Sequence, residues 1–200
     1  MFKYKAVIVG IIITFAVLAY FVLSTDKDVF QYPVSIASSS TGVALKEYKN
    51  KTLGFAIYYP IGWSSSKENA GLPSRDYTAI TFSAPELRRG IDNKVLPNIA
   101  VNYYRDLNVL LSFEKAELKK PSLEVYLRAS QVVRNVTPVY LAGLPAWKGS
   151  LAGPGENDVI DTIFVEHNGH VFAIGVSNRN WFDKETEKAM IESFRFEDDK

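Results

Sequence analysis

The sequence predicts a β-rich α+β domain with a few helices, and three stretches carry that expectation. In Leu53–Trp63, Phe55, Ile57 and Tyr59 sit two apart, which puts alternate side chains on one face of a strand. Asn168-Gly169 lies between two apolar runs, the pattern of a tight hairpin. Ser122 heads a segment in which Leu123, Tyr126, Leu127 and Val133 form an apolar stripe, as in a helix lying on a sheet. One such domain and a short extra segment account for 200 residues, 47% hydrophobic and 22% charged.

The extra segment comes first. Ala6–Leu23 carries no charge, and as a helix it would be about 27 Å long, close to the thickness of a bilayer's hydrocarbon core. Lys3 and Lys5 precede it, and Asp26, Lys27 and Asp28 follow. The positive-inside rule therefore puts the N-terminus in the cytoplasm and the rest of the chain outside the membrane. Residues 1–25 read as a signal anchor, a single transmembrane helix that holds the protein at the cell membrane. A cleaved signal peptide is the competing reading, since Val17-Leu18-Ala19 and Val22-Leu23-Ser24 offer small residues near two cut points. The first cut would leave Tyr20-Phe21-Val22-Leu23 exposed. Both readings leave the domain extracytoplasmic.

Residues 26–46 read as a flexible linker. Ser38-Ser39-Ser40-Thr41-Gly42 has no period, and Tyr32-Pro33 breaks any helix. Such a segment spans about 25 Å end to end. The alternation of Phe30, Tyr32, Val34 and Ile36 leaves an extra edge strand as the other reading.

The domain itself is expected over residues 47–200. Gly54 admits the backbone without a side chain, and Pro60-Ile61-Gly62 turns the chain to deliver Trp63 onto the sheet's flank. Thr78–Phe82 and Ile99–Tyr104 are the next strands, and Leu107–Leu118 is a helix or a loop with one turn. After the helix headed by Ser122, Val136–Leu141 and Ala146–Leu151 are strands joined by Ala142-Gly143-Leu144-Pro145. Val159–His167 and His170–Ser177 form the hairpin around Asn168-Gly169. Asn180 caps a last helix over Trp181–Glu192, and Phe194-Arg195-Phe196 closes the chain as a short strand.

Composition narrows the function. The charge balance is 23 minus 22, or +1, too small for a nucleic-acid binder that relies on a positive field. Cysteine is absent, so thiolate chemistry, disulfides and Cys-based zinc sites are excluded. Neither a Gly-x-Ser-x-Gly elbow, a phosphate-cradling glycine loop nor a His-Glu-x-x-His helix occurs. His167 and His170 flank the hairpin turn and would face each other across the strands, two ligands of the three or four that zinc needs. Glu166 should point to the opposite face. Asp158 and Asp161 offer an acid–base pair, and Arg88, Arg89, Lys115, Lys119 and Lys120 offer basic spots for anionic headgroups. For each set the plainer reading is a solvated surface, so no catalytic, cofactor-binding or metal residue is assigned.

Leu53-Gly54-Phe55-x-Ile57-x-Tyr59-Pro60-x-Gly62-Trp63 resembles the opening of PsbP-like domains. The later order agrees: Ser122-Leu123-Glu124-Val125-Tyr126-Leu127, then Leu141-x-Gly143-x-Pro145-Ala146, then Ser193-Phe194-x-Phe196. The resemblance spans Tyr48–Glu197 and implies an antiparallel sheet with helices on both faces, an α/β/α sandwich. Its matched residues, Gly54, Phe55, Tyr59, Pro60, Gly62, Trp63, Gly143 and Pro145, shape strands and turns, so it implies a scaffold and no site. The expectation is a membrane-anchored, non-catalytic module without cofactor that binds an envelope protein and assists its assembly or stability. The alternative is a carrier or sensor of a small apolar ligand held in a cleft between sheet and helix.

Overall fold

The computed structural model describes residues 36–38, 43–68, 75–85, 98–114, 122–152, 159–177 and 183–197. The first half contains β1 (Ile36–Ser38), β2 (Ala44–Asn50), β3 (Phe55–Pro60), β4 (Ser64–Glu68), β5 (Tyr77–Ser83), β6 (Ile99–Tyr104) and helix α1 (Leu107–Glu114). Helix α2 (Leu123–Ala129), β7 (Val133–Leu141), β8 (Leu144–Ala152), β9 (Val159–His167), β10 (His170–Ser177), helix α3 (Lys184–Ser193) and β11 (Arg195–Phe196) follow. The apolar run Ala6–Leu23 lies outside the described residues, among which no helix is long and apolar enough to cross a membrane.

The strands form two antiparallel sheets where one was expected. A seven-stranded sheet runs β4-β5-β6-β10-β9-β8-β7, and a four-stranded sheet runs β1-β2-β3-β11. Alternation along β10 shows how they are layered. Phe172, Ile174 and Val176 pack into a core shared with Phe55, Ile57 and Tyr59 of β3 and with Met190 and Phe194 at α3. Val171 and Ala173 point the other way, into a core shared with Leu110 and Leu111 of α1 and Leu123, Tyr126 and Leu127 of α2. Period-two alternation is what lets one strand serve both cores. The small sheet therefore occupies much of a face that the expected architecture gave to helices.

Several boundaries move, each for a local reason. Strand β2 begins at Ala44, three residues inside the stretch read as linker, and pairs with β1 from Ile36↔Lys46 to Ser38↔Ala44. Phe30, Tyr32 and Val34 lie outside the described residues. Val133 belongs to β7 and not to the α2 stripe, because Ser130 ends that helix in extended backbone. The β7–β8 turn is Ala142-Gly143, with φ of 50° and 79°, so Leu144 and Pro145 already lie in β8. Asp183, not Asn180, caps α3, accepting from the backbone N–H of Glu185 at 3.1 Å and of Thr186 at 3.2 Å. Trp63 packs against the main core but is only partly buried.

The last described strand joins the third. β11 pairs with β3 through Arg195↔Ala56 and Phe196↔Phe55, and Glu197 N–H donates to the Gly54 carbonyl at 2.8 Å. Gly54 sits at φ 70°, where a side chain is strained. Arg195 pairs with Glu47, and Lys49 with Glu197, so β2 is clamped to the C-terminus as well.

Candidate functional site

The β9–β10 hairpin forms as its Asn-Gly turn requires. Asn168 and Gly169 have φ of 50° and 78°, the left-handed pair of a tight hairpin, and His167 stands opposite His170. Both imidazoles fall on the face of Phe172, while Glu166 faces the other way beside Val171.

The two rings are engaged in packing. His170 Nδ1–H donates to the Arg105 carbonyl at 2.7 Å, which fixes the proton on that nitrogen because a carbonyl only accepts. The Tyr103 hydroxyl oxygen lies 3.1 Å from the same nitrogen, and the two rings are tilted with centroids 5.2 Å apart. Burial pushes the Tyr103 phenol above its ordinary range, opposed by Arg105. His167 stacks on Phe196, and its Nε2 lies 3.1 Å from Asn168 Nδ2. Among the described residues no group of three or more histidines, aspartates or glutamates could hold a metal.

An ion cluster that spacing did not reveal supports this hairpin. Arg105 donates from Nη1 to Asp76 at 2.6 Å and from Nε to Asp106 at 3.0 Å. Asp106 in turn accepts from Val109 N–H at 2.9 Å, capping α1. That backbone hydrogen bond, with the Arg105 guanidinium, holds the Asp106 carboxyl below its usual range. The 29-residue separation of Asp76 and Arg105 closes because β5 and β6 pair antiparallel.

The remaining candidates separate. Asp161 accepts from Ser150 Oγ at 3.0 Å and pairs with Lys148 at 3.0 Å, as one rung between β8 and β9. Asp158 lies outside the described residues, as do Arg88, Arg89, Lys115, Lys119 and Lys120. Of the scaffold residues, Phe55 and Tyr59 are core, and Gly54, Gly62 and Gly143 all have positive φ.

Among the described residues the most exposed large apolar side chain is elsewhere, on the β7–β8 hairpin. Tyr140 is 78% exposed and stands opposite Pro145, with Pro138 opposite Trp147 on the same face. The Arg128 guanidinium lies over the Trp147 ring at 5.3 Å and is paired to Glu124 at 3.0 Å.

The fold is similar to the solution structure of cyanobacterial PsbP from Synechocystis sp. PCC 6803, at a TM-score of 0.45 and 14% identity, covering 87% of this chain and 98% of that one. At that distance no residue role is transferred. No family model matches the chain, and no curated protein matches it.

Proposed function

We propose that this protein is a membrane-anchored extracytoplasmic binding module that assists the assembly or stability of an envelope protein, without catalysing a reaction. One contrast carries the reading. The imidazoles, the best chemical candidates in the sequence, are spent on packing, while a ring suited to contact stands in solvent. Tyr140, flanked by Pro138 and Pro145 and next to an Arg-capped Trp147, has the composition of an interface centre, where aromatic side chains and arginine are enriched. Ala6–Leu23 supplies the anchor in this reading, and the lysines before it set the orientation.

The test is co-purification of the full chain from its own membranes after mild detergent extraction. Tyr140→Asp should abolish recovery of a specific partner while leaving thermal unfolding unchanged. His167→Ala combined with His170→Ala should leave recovery intact. Loss of function from the histidine pair, with a metal bound stoichiometrically to the wild type, would replace this reading with a metal site.

A further inference from the structure

On the α1–α2 side of the large sheet, polar side chains of β4, β5 and β6 form a hydrogen-bonded row. Ser66 and Thr81 share a hydrogen bond of 2.6 Å, Tyr77 donates to Asn102 Oδ1 at 2.9 Å, and Asn102 Nδ2 donates to the Ala173 carbonyl at 3.2 Å. Glu68 ends β4 two positions beyond Ser66, on the same face and opposite Ala79. Its Oε2 is buried and has no hydrogen-bond partner among the described residues. A buried acceptor without a donor is costly, and far more so when it carries charge.

Among the described residues Ser66 gives the carboxyl a hydrogen bond, and no cation pairs with it. On the same face of β5, two positions from Ala79, is the Tyr77 phenol, pushed well above the usual range by burial first and then by Tyr104 and Glu68. Lys67 leaves β4 from the other face. Burial pushes the Glu68 carboxyl up to about 7, with the Ser66 hydrogen bond pulling the other way and no described cation offsetting it. The strand is also weakly held. β4 is an edge strand bonded only to β5, and Ser64, Ser65, Ser66 and Lys67 are all exposed.

We infer that the end of β4 is a proton-operated latch, closed on β5 while Glu68 is neutral and loosened when Glu68 ionises. The sign follows from linkage. An acid whose pKa is raised in the folded state leaves stability intact at and below its ordinary 4.5, and stability is lost as pH rises through about 7. The device is independent of the binding role proposed above, since β4 and the β7–β8 hairpin are opposite edges of the sheet.

Amide hydrogen exchange of the full chain in mild detergent tests it, measured from about pH 5 to about pH 9 and corrected for intrinsic rates. Amides of β4 and β5 should exchange about tenfold faster at the alkaline end in the wild type, and Glu68→Gln should remove that rise. Equal pH dependence in both proteins, or none in the wild type, would overturn the latch. Should the glutamine variant fail to fold, a carboxyl-carbon NMR titration of the wild type decides. A Glu68 midpoint near neutrality supports the latch, and one below about pH 5 refutes it.

Discussion

The imidazole of His167 lies nearly parallel to the ring of Phe196, with centroids 3.9 Å apart and 22° between planes. Phe196 also meets Phe172 and Phe194 edge-on, each at 5.2 Å. The tip of the β9–β10 hairpin is thereby bound to the last strand of the chain. Phe196→Ala should lower stability by about 2–3 kcal/mol, less than a fully buried phenylalanine because Phe196 is half-buried. An unchanged urea midpoint would show that the C-terminal strand contributes nothing to the hairpin.

Trp63 and Phe55 separate two kinds of aromatic. Emptying a fully buried aromatic site costs about 3–5 kcal/mol, and Phe55, which contacts Phe172 and Phe194, belongs in that range. Trp63 is only partly buried, so Trp63→Ala should cost about 1–2 kcal/mol. Denaturant titration of the two variants side by side checks the order. A larger loss at Trp63 would contradict this packing.

Gly149 is required by a neighbour and not by its backbone angle. A Cβ there would lie 2.4 Å from Val133 Cγ1, on the adjacent strand β7. Gly149→Ala should destabilise by about 1–3 kcal/mol through overpacking. Combined with Val133→Ala, the loss should be smaller than the sum of the two single variants, because the second change removes the clash. Simple additivity in thermal melts would place the cost elsewhere.

Membrane attachment has a direct readout. The chain should stay in the membrane fraction through an alkaline wash, with its N-terminal residues intact by mass spectrometry. A mature chain that begins at Tyr20 or Thr25 would remove the anchor and leave a secreted domain.

The parts of the fold legible in the sequence were those where one side of an element is apolar. Phe55, Ile57 and Tyr59 announce a strand by alternation, and Asn168-Gly169 sets a register that places His167 against His170. β4 was invisible, because Ser64-Ser65-Ser66-Lys67-Glu68 is an exposed edge with no apolar face to repeat. The division into two sheets depends on pairings such as Phe196↔Phe55, which no local pattern specifies. Site chemistry was legible only as residue types. That His170 answers to the Arg105 carbonyl, or that one carboxyl oxygen of Glu68 is buried, follows from strands brought together across the chain.

The clamp between the chain's end and β2 also sets an order of events. Lys49 and Glu197 are 148 residues apart, and the small sheet has no last strand until Arg195 and Phe196 have been made. A chain emerging from its N-terminal side therefore carries β3, with Phe55, Ile57 and Tyr59 of the main core, without its last neighbour until residues 195 and 196 appear. Closure is a search over a very long loop, and such searches are slow and leave apolar strands open to wrong partners. Deleting Arg195 and Phe196 would thus leave β3 with one edge unpaired.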